Sequence, residues 1–172
     1  MKNELMLKNV TCVFPHVFNP NTQFGPEGKR EITLLLHKVN DLKQIQAIKK
    51  KITTLSSATK NALTADTICL KDGDLSGRSE QFGYYAIKAT SKTEVPIVNG
   101  LKKPITMFEQ EIKGGDFVSC IIGLWLQDNT YGTRVNCNLL ALQWLKKGDS
   151  NASVLVNSFE LCDSNDDDDD EF

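Results

Sequence analysis

Few of the features that mark an enzyme, a membrane protein or a secreted domain occur in these 172 residues. There are only two histidines, His16 and His37, in unrelated segments and without evident partners. No P-loop, His-Glu-x-x-His or Gly-x-Ser-x-Gly occurs, so the local geometries that hold a phosphate, a zinc ion or an activated serine are missing. No catalytic residue, cofactor or metal site is therefore assigned. The five cysteines (Cys12, Cys69, Cys120, Cys137, Cys162) are odd in number and widely spaced. They form none of the close pairs that zinc or redox motifs use, and they suit a reducing cytosol. Cys120 and Cys137 lie in apolar runs, where a thiol is expected to act as a small buried hydrophobe. The longest apolar run, Val118 to Leu126 interrupted by Ser119, falls far short of the roughly 20 residues that span a bilayer. Met1 to Lys8 lacks the apolar core and cleavage site of a secretory signal, so a cytoplasmic location is expected.

What is present is an asymmetry of charge. The formal net charge of −2 averages two segments of opposite sign. Glu160 to Phe172 holds eight of the 22 acidic residues and no Lys or Arg, so the preceding chain keeps all 20 basic residues and carries about +6. The expected organisation is a domain over 1–160 and a disordered acidic tail over 161–172. Carboxylates that repel one another and have little apolar surface to bury cannot fold alone. Tethered to a cationic body, the run Asp166, Asp167, Asp168, Asp169, Asp170 and Glu171 would compete with nucleic acid for a basic groove at high effective concentration. Once displaced it would be free to recruit a basic partner, with the terminal Phe172 as an anchor.

Apolar and β-branched residues predict strands over Leu5–Phe14 and Lys29–Leu36, with Pro15 and the stretch Asn19–Gly28 forming a loop between them. Leu42, Ile45, Ile48, Ile52 and Leu55 recur at helical spacing, giving one amphipathic helix capped by Asn40 or Asp41. Its Lys49-Lys50-Lys51 run reads as a solvated face. Asp72-Gly73-Asp74-Leu75-Ser76-Gly77 begins like a calcium loop but has Gly83 where the twelfth-position Glu belongs, so it is read as a turn. A short strand is expected near Cys69, another over Gln81–Thr90, and a hairpin turn at Asn99-Gly100. Two long strands, Phe117–Gln127 and Tyr131–Trp144, are joined by a short polar loop. The fold class is mainly β: an OB-like barrel of five or six strands with one helix.

Alternation of side chains across a strand assigns faces. Val118, Cys120, Ile122, Leu124 and Leu126 face inward, as do Thr133, Val135, Cys137, Leu139 and Ala141, and on the earlier strand Tyr85, Ile87 and Ala89. Outward then lie Tyr84, Ala86, Lys88, Phe117, Ser119, Ile121, Gly123, Trp125, Gln127, Arg134, Asn136 and Asn138. Aromatics that stack on bases, interleaved with cations that neutralise phosphates, compose a surface for single-stranded nucleic acid. The loop cations Lys29, Arg30, Arg78, Lys92, Lys102, Lys103 and Lys113 would widen the track.

In order along the chain, several segments resemble those of a known family. These are Phe14-Pro15-His16-Val17-Phe18 before a polar loop and the Gly28-Lys29 strand start, Leu70-Lys71-Asp72-Gly73-Asp74, Tyr84-Tyr85-Ala86-Ile87-Lys88-Ala89, Pro96-Ile97-Val98, Gly115-Asp116-Phe117-Val118 and the closing DDDDDEF. The family is that of phage-encoded single-stranded-DNA-binding proteins with an OB-fold, of the podovirus-replisome type. The resemblance implies binding of single strands during phage replication and recombination in a bacterial host cell, with some strand annealing. It also implies contacts from Asp166 through Phe172 to the phage DNA polymerase and helicase. The sequence departs from the pattern in its short tail and in a helix lying between the second and third strands. Monomer and homodimer both remain open. Two other readings stand beside this one: a protein-interaction module whose tail mimics DNA, and a metal-dependent nuclease.

Overall fold

The computed structural model describes residues 4–21 and 28–148, so the acidic tail and the expectations placed on it lie outside the described residues. In chain order the elements are β1 (Glu4–Asn21), β2 (Lys29–His37), α1 (Leu42–Ser56), β3 (Leu70–Asp72), β4 (Tyr84–Ser91), β5 (Ile97–Val98), β6 (Phe117–Asn129) and β7 (Gly132–Lys146). The sheet order is β3-β4-β2-β1-β6-β7-β5, and a further β4–β7 pairing closes the five strands β4, β2, β1, β6 and β7 into a barrel. This connectivity, with a parallel closing pair, is that of an OB-like barrel, and β3 and β5 are short additions at its edges.

The strand expected to stop at Pro15 does not stop there. β1 runs on to Asn21, pairing with β2 on one side and β6 on the other, so that Thr11 faces both Leu35 and Phe117. Proline lacks an amide donor, but the register slips between Val13 and His16, and a bulge demands no rung at Pro15. Asn9 and Phe14, with φ of 53° and 52°, mark the two bends that let one strand wrap the barrel.

The core is filled by inward residues of all five barrel strands, among them Leu7, Val10, Ile32, Leu34, Ile87, Val118, Ile122, Leu124, Val135 and Leu139. Helix α1 packs on β1, β2 and β6 and buries Ile45, Ile48 and Ile52. Its expected N-cap bond is not made. The Asp41 carboxylate instead accepts from the His37 amide (2.8 Å) and from Gln44 (3.3 Å), which ties the start of the helix to the end of β2.

The inward set assigned to β6 is correct for Val118, Cys120, Ile122 and Leu124, and Leu126 is partly buried against the core. In β7 the alternation breaks. Ile122 pairs with Leu139 and Ile121 with Ala141, so Leu140 is an extra residue. Beyond this bulge Leu142 is the buried residue, whereas Ala141, expected inside, is only half-buried. Ala86 and Ser119, expected outside, are 6% and 9% exposed: Ala86 sits on β4 between β2 and β3, opposite Leu35 and Lys71, and the Ser119 hydroxyl accepts from the Asn9 amide (3.0 Å).

That segment fills a seam. β4 and β7 meet at a single parallel pair, Thr90 with Asn138. Where the two strands splay, Ile68 bridges to Val135 on one side, and Leu70 pairs with Ile87 on the other. The following turn is held by Lys38, whose ammonium donates to Asp72 and Asp74, each at 2.6 Å. This bonding draws both carboxyls below their ordinary pKa. The Gly83 amide also donates to Asp74 (2.8 Å). The acidic string is thus a cross-linked turn. A Cβ on Gly73 would lie 2.1 Å from the Gln81 carbonyl oxygen and 2.5 Å from that of Tyr84. Gly73→Ala is expected to destabilise the protein by roughly 1–3 kcal/mol, as overpacking against backbone does, which a chemical denaturation curve measures.

At the far end of the barrel Asp116, 4% exposed, collects three donors: the Lys113 amide (3.0 Å), the Trp144 indole (3.1 Å) and the Gly148 amide (3.2 Å). Its carbonyl accepts from the Cys12 amide (2.9 Å), and the Gly115 amide donates to the Cys12 carbonyl (2.7 Å). The buried carboxylate therefore joins the 113–116 turn to the end of β7, and the backbone of the same turn joins both to β1.

Candidate nucleic-acid interface

Over the seam lies an open groove of about 1010 Å³. One slope is built from outward residues of β2 and β4 (Thr33, Lys88, Thr90), the other from β6 and β7 (Trp125, Gln127, Arg134, Asn136, Asn138), and the segment 65–76 forms a wall. Residues two apart on adjacent antiparallel strands fall on one face, so Trp125 stands opposite Asn136 and Gln127 opposite Arg134. The Trp125 ring is 42% exposed, and its indole N–H donates to Asn138 Oδ1 at 3.2 Å, which fixes its orientation on the sheet. Asn136 donates to Gln127 Oε1 at 3.0 Å. These amides lock one another while the ring keeps a face open.

Among the described residues, five cations line the groove (Lys29, Lys71, Lys88, Lys92 and Arg134) against two carboxylates, Asp66 and Asp72. Asp72 is already neutralised by Lys38, and Lys88 shares its charge with Glu31 at 3.5 Å. A positive field therefore remains along the floor and both rims. Beneath them, Cys69 and Cys137 face each other. A hydrogen bond between the thiols lowers the pKa of Cys69 and raises that of Cys137, which burial raises further. Cys12 and Cys120, deep in the core, are both pushed up to about 12 by burial.

Of the residues singled out from sequence, the groove gathers Lys88, Trp125, Arg134, Asn136, Lys29 and Lys92. The others stand elsewhere. Tyr84 packs edge-on against His37 with ring centres 5.3 Å apart, and Phe117 lies under Lys146 at 4.9 Å. Arg78 covers the Phe14 ring at 5.2 Å, and Arg30 lines a second cavity. Lys102 and Lys103 sit on the turn between Asn99 and Pro104, and Lys113 lies 3.9 Å from Glu111. Gln127, placed on the outward face by alternation, also lines the groove, whereas sequence reasoning missed Lys71, which belongs to a three-residue strand too short to show a period.

The groove, with its single exposed indole, locked amides and cations, can accept stacked bases between phosphates held at its rims. Comparison with known proteins bears on this geometry. A protein-family profile described as "Enterobacter phage Enc34, ssDNA-binding protein" matches residues 3–172. The solved structure of the single-stranded DNA-binding protein from bacteriophage Enc34 superposes with a TM-score of 0.77 at 29% identity, covering 87% of this chain and 84% of that one. The same protein in complex with ssDNA gives a TM-score of 0.76 at 30% identity, covering 87% and 88%. The single-stranded DNA-binding protein encoded by bacteriophage T7 shares the fold at 12% identity, with a TM-score of 0.58 over 93% of this chain and 96% of that one. No protein with a curated description matches.

Proposed function

The chain belongs to the family of phage single-stranded-DNA-binding proteins represented by that of Enterobacter phage Enc34, and from that premise we propose that it holds single-stranded DNA in the groove over the β4–β7 seam. It acts as a binding protein without chemistry of its own. The observation that carries the reading is the convergence of Trp125 with Lys29, Lys71, Lys88, Lys92 and Arg134 on one open concave surface. Stacking on a ring accepts any base, and lysine meets phosphate as a point charge, so the binding is independent of sequence. The groove's hydrogen-bonding amides, Asn136, Asn138 and Gln127, are largely occupied with one another or with Trp125 and so offer little base-specific readout.

The acidic end of the chain complements this surface. We assign to Asp166 through Phe172 the role of a tethered competitor for the groove, which becomes available to the phage polymerase or helicase when DNA displaces it. Support for that role is the opposite sign of the two segments and their covalent connection.

Titration of labelled oligonucleotides at several salt concentrations, with the full chain and with a form ending at Cys162, tests both parts. Single strands are expected to bind better than duplex. The logarithm of affinity should fall with the logarithm of salt at a slope of about −2 to −3.5 if three to five phosphates are met. The shortened form is expected to bind more tightly. Absence of binding by either form would point to a protein-interaction module, and magnesium-dependent shortening of the oligonucleotide to a nuclease.

A further inference from the structure

A second cavity, of about 340 Å³, opens where the groove ends, and its lining includes Phe18, Arg30, Val95, Met107 and Phe108. Its outer edge is a turn whose construction is unusually firm for a surface loop. The Thr106 amide donates to Glu109 Oε1 (2.9 Å), the Glu109 amide donates to Thr106 Oγ1 (3.4 Å), and the Gln110 amide donates to the Thr106 carbonyl (3.0 Å). This reciprocal pairing is a capping box, here closing a turn. The Asn19 amide touches Met107 Sδ at 3.6 Å and tethers the turn to β1. At its apex Phe108 is 93% exposed and Met107 40%. A benzyl side chain held in water on a pre-ordered turn gains nothing for folding, so its free energy is available to a ligand.

Continuity indicates which ligand. Lys29 and Lys92 line the groove, and Arg30 and Glu94, their near neighbours in sequence, line the cavity, so the two depressions lie side by side where β2 begins and β4 has ended, with Arg30 the cation and Glu94 the carboxylate among the described residues of the second. A strand that leaves the groove past Lys29 and rounds the start of β2, where successive side chains point to opposite faces, would come to the cavity that Arg30 and Phe108 both line. A second copy of the chain docking here would bring its own Lys29, Arg30 and Lys92 toward the same cations.

We propose that the Thr106–Glu109 turn is a second stacking station for single-stranded DNA, with a base on Phe108 and the adjoining phosphate at Arg30, extending the bound strand past the end of the groove. The inference rests on the groove reading and adds to the length of strand that one molecule covers.

The full chain and its Phe108→Ala, Phe108→Trp and Trp125→Ala variants are titrated with oligothymidines of roughly 6 and roughly 16 nucleotides, which bracket the lengths one OB-fold occupies. Phe108→Ala is expected to leave the shorter oligonucleotide's affinity within about twofold and to weaken the longer one's by roughly 5- to 150-fold. Phe108→Trp should restore it. An unchanged affinity for the longer oligonucleotide in Phe108→Ala overturns the proposal. So does sedimentation showing a dimer that this variant dissociates while DNA binding persists, which would make the patch a contact between copies. Trp125→Ala reports on the groove separately: if the shorter oligonucleotide binds it normally, the groove reading itself fails.

Discussion

Replacement of Trp125 by alanine is expected to weaken binding of a short oligothymidine by roughly 5- to 150-fold, the loss of one stacked base at about 1–3 kcal/mol. The melting temperature should move little, because Trp125 is 42% exposed and its side-chain hydrogen bond among the described residues, to Asn138, lies on the surface. Arg134→Ala should act differently. It removes a phosphate partner and so lowers the salt slope by about 0.7 for single strands. Phenylalanine at 125 keeps a π-face but lacks the indole N–H that Asn138 orients. Its affinity is therefore expected to fall between those of tryptophan and alanine. Equal binding by all three would remove the ring from the DNA path, and a large fall in melting temperature would make it part of the packing instead. Fluorescence anisotropy beside a thermal melt reads both quantities on the same sample.

The largest loss of stability is expected at Asp116. Alanine there strips three donors of their acceptor, the Lys113 and Gly148 amides and the Trp144 indole. A buried donor left unpaired costs about 1–3 kcal/mol, but water entering the vacated space recovers part of this, so a total of about 3 kcal/mol is expected. For a domain of this length that corresponds to a fall of roughly 6–12 °C in melting temperature. Asn at the same place keeps one acceptor oxygen and should lose about half as much. Neither change touches the groove, so single-strand affinity below the transition should persist. A melting temperature within about 2 °C of the parent would mean that the three donors find other acceptors.

The β6–β7 hairpin was the most readable part of the sequence, and the reason is geometric. Its two strands keep strict register from Leu139 to the turn, so the period of two in Val118, Cys120, Ile122 and Leu124 places Trp125, Arg134, Asn136 and Asn138 together on the opposite face. The same rule fails beyond Leu140 because one inserted residue inverts every later side chain, and nothing in a run of apolar residues announces a bulge. Helix α1 was visible because three isoleucines keep helical spacing. The cap was not, since Asp41 had a competing donor, the His37 amide, that only the fold supplies. Loop cations have no period at all. Lys29 and Lys92 reach the groove because their strands end at its rim, whereas Lys102 and Lys103 belong to the turn after β5. Lys71 was passed over because β3 is defined by its pairing with β4, in which Lys71 stands opposite Ala86. The short strand near Cys69 was expected, but three residues give no period from which a face can be assigned.

The single rung between Thr90 and Asn138 has one more implication. A cylinder whose two edges share one direct rung, and otherwise meet through the inserted segment 68–70, is weakest along that join, and the proposed nucleic-acid track runs across it, touching β4 on one bank and β7 on the other. An occupant of the track would act as a clasp, tightening the closure of the wall on which it rests. Occupancy and cohesion would then rise together as free ligand increases.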